Sequence, residues 1–261
     1  GETPQDIFER PYAPLQPMSM YALAAQRHMH EFGTTSEQLA EVAVAARAWA
    51  QRNPKAYRYD AGPLTVGDVL ASPLISSPLH TLDCCLVTDG GGAVVLTTAE
   101  RAADLALAPV RVLGHGETTT HMGISQMPDL TATGGALAAQ RAYAAAGLGP
   151  GDIDVWQLYD SFTITVLLTL EAVGLCARGE SGAFVEKGRI APGGEVPLNT
   201  SGGGLSYCHP GMYGIFLLIE AVRQLRGECG DRQVAGAETA LCHGTGGILS
   251  THSTVILGVE R

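Results

Sequence analysis

Three short stretches of the chain hold residue types that can move protons or attack carbonyls. The first runs from Asn199 to Gly214 and packs Tyr207, Cys208, His209 and Tyr213 among five glycines and a proline. Glycine tolerates positive φ and close backbone approach, so Gly202-Gly203-Gly204 points to main chain pressed against something. A histidine in such a turn, ahead of a helix, serves as a general base or as a donor to a developing oxyanion. It can equally satisfy a local backbone group. The second stretch is Tyr159-Asp160-Ser161-Phe162, where Tyr159 closes an apolar run as an acid or as an interface aromatic. The third is Cys242-His243-Gly244-Thr245-Gly246-Gly247. Cys208 and Cys242 each neighbour a histidine, which suits an activated thiolate. Adjacent side chains seldom point at one target, however, so a dyad within either pair is not expected, and Cys208 is not expected to be a nucleophile. Cys84, Cys85, Cys176 and Cys229 read as small buried hydrophobes. Tyr213, in the first turn of the following helix, is expected in the core.

The elements that must position these residues follow from periodicity and punctuation. Met18 to Phe32 reads as a helix stopped by Gly33, and Thr34 to Ser36 offers caps for a second helix through Gln51, with Leu39, Val42, Ala43, Ala46 and Trp49 at helical spacing. Residues 55–78 form a long loop excursion. Asp89-Gly90-Gly91-Gly92 lacks the phosphate-loop lysine and reads as a tight turn into a buried strand at Ala93–Leu96, with a short helix over Ala99–Leu107. Val110–Leu113 is the next strand and 114–130 a polar loop. Thr133–Ala146 is a helix closed by Gly147. Ile153–Leu158 is a strand, Phe162–Val173 a buried helix, and 177–197 a second glycine-rich excursion. A helix over 212–226, a strand at Val234–Leu241, a glycine-rich turn at Cys242–Gly247 and a strand at Ser253–Val259 complete the chain. Strands alternating with helices define an α/β fold around a buried sheet. The three reactive stretches fall at strand ends, where ligands of such folds gather.

The chain has 261 residues, 46% hydrophobic and only 16% charged, with a net charge of −10. That composition points to an extensively buried, oligomeric protein and, without a basic stripe, away from nucleic acid. No apolar run reaches the ~18 residues of a membrane span. The N-terminus has no signal-peptide pattern, and six cysteines without a CxxC fit a reducing cytoplasm. No local basic cluster announces a phosphate-bearing ligand, and no metal ligand set is expected.

These stretches, in this order, resemble the thiolase superfamily. Asn199, Gly202-Gly203-Gly204, His209-Pro210 and Gly214 resemble the thiolase loop that precedes a helix. The stretch from Cys242 to Gly247 resembles its C-terminal glycine-rich turn. Asp89-Gly90-Gly91-Gly92-Ala93 and Tyr159-Asp160-Ser161-Phe162 are similar to two further thiolase segments, and Arg27 to Ala40 to the sterol-carrier, lipid-transfer type. The resemblance implies the layered αβαβα thiolase fold with mixed sheets. Residues 1–107 would be the rear of the first thiolase-like half and 108–261 the second half. Thiolases begin with a strand–helix region carrying the acyl-accepting cysteine, which this chain lacks.

Tyr159 stands where thiolases place Asn or His, and tyrosine-rich sites of this kind resemble the thiolase-like lyases of steroid side-chain degradation. These are retro-aldolases that cleave a β-hydroxyacyl-CoA into a ketone and a shorter acyl-CoA. The resemblance implies Tyr159 and Tyr207 as acid and base, with Tyr213 as substitute, and His209 as donor to the thioester oxygen. His243 is a further catalytic candidate. Asn199, Gly203, Gly204, Cys242 and Gly246 would bind the substrate. It implies no cofactor beyond the coenzyme A of the substrate, a homodimer, and a small DUF35/OB-fold partner. Two alternatives stay open: an acetyl-CoA acetyltransferase or 3-ketoacyl-CoA thiolase, and a non-catalytic acyl-CoA- or lipid-binding scaffold.

Overall fold

The computed structural model describes residues 2–259. Nine α-helices occur among them: α1 (Pro4–Phe8), α2 (Met18–Phe32), α3 (Ser36–Ala50), α4 (Val66–Ala71), α5 (Ala99–Ala103), α6 (Gly135–Ala146), α7 (Thr163–Ala172), α8 (Ser181–Phe184) and α9 (Gly214–Leu225). A short ribbon pairs β1 (Leu74–Ser76) with β2 (Leu79–His80). The main sheet holds β3 (Arg111–Thr119), β4 (Val155–Leu158), β5 (Thr239–Gly246) and β6 (Thr251–Gly258), in the order β3-β6-β5-β4. Its β3–β6 and β5–β6 ladders are antiparallel and β4–β5 is parallel, so the sheet is mixed.

Local chemistry explains the helices that frame the site. Thr35 and Gln38 form a capping box at the start of α3, satisfying two N–H groups that a helix start leaves unpaired. Leu39, Val42, Ala43, Ala46 and Trp49 then form its buried face, and the Trp49 indole donates to the Ile190 carbonyl at 3.0 Å. Helix α2 ends on Gly33 at φ 75°, a left-handed cap. Helix α6 lies against β3 and β6 on one face of the sheet, and α9 covers β4 and β5 on the other. The α6 approach depends on Gly114 and Gly116 of β3, where a Cβ would stand 2.2 Å from the carbonyl oxygens of Ala142 and Ala138 respectively. Helix α7 is apolar on nearly every side and sits in the core.

Five expectations are corrected. Ala93–Leu96 is not a strand: Val95 and Leu96 are 93% and 82% exposed, and no strand pairs with them among the described residues. A valine-rich run becomes a strand only where a neighbouring backbone takes its hydrogen bonds. Residues 55–78 and 114–130 are not all loop, because α4 and β1 lie within the first and β3 continues to Thr119 along β6 in the second. The residues from Cys242 to Gly246 are not a turn but the second half of β5, with Gly244 opposite Ser253 and Gly246 opposite Thr251. The chain turns one step later, where Gly247 and Leu249 take φ 61° and 54°. Finally, the helix at Ala99 ends at Ala103. No helix among the described residues is long and apolar enough to cross a membrane.

Candidate active site

The site forms where β4 ends beside β5. Tyr159 continues the ladder by one bond, its N–H donating to the His243 carbonyl at 2.9 Å. The preceding N–H, of Leu158, donates to the Asn199 side-chain oxygen at 2.8 Å. Asn199 is held at φ 52° and opens the glycine loop, which passes Gly202 at φ 104° and Gly203 at φ 64° into one wide π-turn over Gly203–Tyr207. Such turns are rare and gather at functional sites. Asp160 fills the inside of this turn. Its carboxylate accepts from the N–H of Gly204 at 2.6 Å and of Leu205 at 3.2 Å. A Cβ on Gly203 would lie 2.0 Å from that carboxylate, so only glycine fits.

Beyond the turn the backbone extends at Cys208, and the His209 N–H donates to Thr88 Oγ1 at 2.9 Å. His209 Nε2 then meets the Tyr159 phenol at 2.9 Å, and the phenol also donates to the Gly211 carbonyl at 3.1 Å. The phenol carries one proton. When it is given to the Gly211 carbonyl, the phenol oxygen accepts from His209 Nε2–H. When it is given to His209 Nε2, the imidazole is the acceptor. Either arrangement links the two groups by one proton.

Burial sets the acidities. It pushes the Tyr159 phenol up to about 12, with smaller contributions from Cys85, Tyr21 and Asp160. Burial also lowers the His209 imidazole, so it is neutral near pH 7. Asp160, wholly buried, is pushed up to about 7 by the loss of water, against the pull of the Gly204 and Leu205 N–H groups. The thiols are held in the neutral form: burial takes Cys85 to about 12 and Cys208 to about 11, and also raises Cys242.

A cavity of about 890 Å³ opens beside this pair, its wall including Tyr159, His209, Tyr213, Cys85, Phe162 and Gly246. Four residues named from the sequence, Tyr159, His209, Tyr213 and Gly246, thus meet on one wall. The others lie elsewhere. Tyr213 is fully buried apart from that contact, stacked on Phe216 with ring centroids 5.6 Å apart, its phenol 3.3 Å from Ser201 Oγ. Tyr207 is half-buried against the Phe216 ring, and its carbonyl accepts from Tyr57 N–H. The Cys242 thiol donates to the Leu217 carbonyl on the α9 side of the sheet. His243 points to the opposite side, bonded through Nδ1 to Thr254 and through Nε2 to His252 Nδ1. The N–H groups of Gly203 and Gly204 are already taken by Ser201 and Asp160. Asn199 acts on the Leu158 backbone.

Sequence reasoning passed over three features here. Asp160 was legible only as the acid following Tyr159. Cys85, read as core, lines the cavity. Arg47, Arg52, Lys55 and Arg58 supply four of the chain's 16 basic residues, with Asp60 the one carboxylate between Val42 and Gly67. Successive i→i+3 turns through Asn53, Ala56 and Tyr59 space Arg52, Lys55 and Arg58 one turn apart. Arg52 and Lys55 are exposed, Arg58 is half-buried with its guanidinium over the Tyr57 ring, and Asn53 and Ala56 are buried. Among the described residues none of these four makes an ion pair. Backbone bonds from Tyr57 to Tyr207 and from Arg58 to Ser206 fasten this segment to the π-turn. The spacing of three hid the cluster from a search for contiguous charge.

Residues 116–259, more than half of the chain, match the family described as thiolase C-terminal domain-like. The chain belongs to that family and has the thiolase fold. It is 40% identical to a steroid side-chain-cleaving aldolase of Thermomonospora curvata over 96% of this chain and 64% of that protein. It is 39% identical to an acetyl-CoA acetyltransferase of Methanothermobacter thermautotrophicus over 90% of this chain and 62% of that one. The solved structure of an Ltp2-ChsH2(DUF35) aldolase superposes with a TM-score of 0.89 at 38% identity, covering 96% of this chain and 65% of that chain. The chain thus spans somewhat under two thirds of the length of these relatives.

Proposed function

We propose that the protein acts in the retro-aldol cleavage of a β-hydroxyacyl-CoA, of the steroid side-chain class, to a ketone and a shorter acyl-CoA. The observation that carries this reading is the Tyr159–His209 contact on a cavity lined, among the described residues, by one thiol, Cys85, which burial holds neutral. Thiolysis needs a thiolate to hold the acyl group. Retro-aldol cleavage needs proton transfers only. The β-hydroxyl loses its proton, the Cα–Cβ bond breaks with its electron pair passing to the thioester enolate, and Cα takes one proton back. The proton balance closes without a co-reactant.

Tyr159 is the proton-transfer group in this proposal. Neutral His209 relieves it of its own proton as it accepts the one from the substrate hydroxyl, and returns it for the enolate. In this proposal His209 also donates to the thioester oxygen once it carries that proton, a contact of the kind worth ~3–4 kcal/mol of barrier. Tyr207, against Phe216 and behind the wall, is assigned to holding the loop. The coenzyme A moiety is supported by the Arg52, Lys55, Arg58 column beside the π-turn, a place for its phosphates. A DUF35-type partner belongs to the same proposal, supported by the aldolase complex of similar structure. A homodimer and a cytoplasmic location complete it.

The similarity to an acetyl-CoA acetyltransferase favours acyl transfer as the second reading. Incubation of the full-length enzyme with a β-hydroxyacyl-CoA, with and without free coenzyme A, separates the two. Cleavage independent of added coenzyme A supports the lyase; strict dependence on it supports the transferase.

A further inference from the structure

We infer that Asp160 is the positioning residue of this site, its buried carboxylate fastening the glycine turn that carries His209 to the strand end that carries Tyr159. The geometry is specific. Asp160 follows Tyr159 in the chain, so whatever fixes its carboxylate also fixes the phenol's backbone. The two N–H groups it receives, from Gly204 and Leu205, are buried and would otherwise be unpaired. The turn closes around it so tightly that Gly203 admits no Cβ, and a Cβ on Gly204 would already touch His209 Cδ2 at 3.0 Å. One side chain therefore sets the distance between the two elements whose tips meet as Tyr159 and His209. The segment facing the cavity from the other side is tied to the same turn, because Leu86 N–H donates to the Gly204 carbonyl and Cys85 N–H to the Ser161 carbonyl.

Asp83 provides an internal contrast. It too is a buried carboxylate, accepting from the His80 backbone and from Thr163 Oγ1, but neither partner lies on the cavity wall. Its loss should cost stability alone. The charge of Asp160 acts as well as its geometry, since it helps to raise Tyr159, Tyr213, Cys85 and Cys208. Along with His209 these are the titratable groups that face it.

The inference rests on the retro-aldol reading for its kinetic test but not for its structural one. Asp160→Asn keeps one acceptor and turns the other atom into a donor facing an N–H. With the full-length enzyme we expect kcat to fall roughly 10²-fold, as a displaced catalytic group does, with KM little changed and the alkaline limb of the pH profile shifted to lower pH. Asp83→Asn should lower the melting temperature and leave kcat and the profile in place. Independently of turnover, the His209 Cε1 resonance should move in Asp160→Asn and not in Asp83→Asn. Should Asp160→Asn fail to fold, the Gly204 and Leu205 amide protons of the wild type decide the matter. They should lie far downfield and move together as pH crosses about 7. Absence of cleavage in the wild type would refute the retro-aldol reading while leaving the resonance test standing. An Asp160→Asn enzyme that melts early yet keeps wild-type kcat and His209 resonance, or amide protons indifferent to pH, would overturn the inference.

Discussion

The phenol oxygen of Tyr159 stands 2.9 Å from Nε2 of His209 while also donating to the Gly211 carbonyl at 3.1 Å. The two residues come from distant parts of the chain: one closes a parallel strand and the other leaves a π-turn. Burial drives both toward their neutral forms, a reluctant acid next to a weak base. A proton passed from the phenol to the imidazole would leave both charged, so without a substrate it stays on the phenol; transfer becomes possible when the phenol oxygen takes a substrate proton in the same step.

Tyr159→Phe removes the transferable proton and keeps the ring against Tyr213 and His209. Retro-aldol turnover should fall by about 10²-fold or more, the usual worth of a positioned acid–base group. The denaturation midpoint should fall only modestly, because the phenol's two hydrogen bonds, with His209 and Gly211, are worth about 1 kcal/mol each. Steady-state kinetics with a urea melt on the same preparation checks both.

Tyr213 reads as core despite its edge on the cavity. Tyr213→Ala should destabilise the fold by ~3–5 kcal/mol, as deletion of a buried aromatic does. Tyr213→Phe forfeits only the 3.3 Å contact with Ser201 and should retain most of the turnover. A urea titration of the two variants, paired with their kcat, separates packing from chemistry.

The helices were legible because their ends are written in short-range chemistry. Gly33 stops α2 at the expected residue, and the caps at 34–36 mark the start of α3 to within a residue. The β5 stretch misled because Gly244, Gly246 and Gly247 carry a turn signal, whereas the observed strand is set by its ladder to Thr251 and Ser253, a long-range fact. Val95 and Leu96 misled in the other direction, for the same reason. Within the site, His209 and Tyr159 stood out by type and place. Asp160 did not, since a carboxylate between a strand and a helix says nothing by itself about the two N–H groups it will meet.

His243 should make the protein acid-sensitive. Burial and His252 lower its imidazole from 6.5 to about 3 in the folded chain. Between those values the unfolded chain binds a proton that the folded chain refuses, so stability falls as pH drops from about 6.5 toward 3 and is regained above it. His243→Asn should flatten the dependence of the unfolding free energy on pH over this window. Chemical denaturation at a series of pH values reads the slope.

The basic column should act on binding and not on chemistry. Arg52→Ala and Arg58→Ala should each raise KM for an acyl-CoA several-fold, matching the ~0.2–1 kcal/mol of an exposed ion pair, with kcat held. The effect should shrink at high salt. The acyl-pantetheine analogue, which has no phosphates of this kind, should show no difference between the variants and wild type.

The most direct test of the proposed activity is product stoichiometry from the full-length enzyme given a β-hydroxyacyl-CoA and no free coenzyme A, for wild type and Tyr159→Phe side by side. One ketone and one shorter acyl-CoA per substrate in the wild type, and about a hundredth of that rate in the variant, is the predicted result. Cleavage that requires added coenzyme A, or a Tyr159→Phe enzyme as fast as wild type, would contradict it.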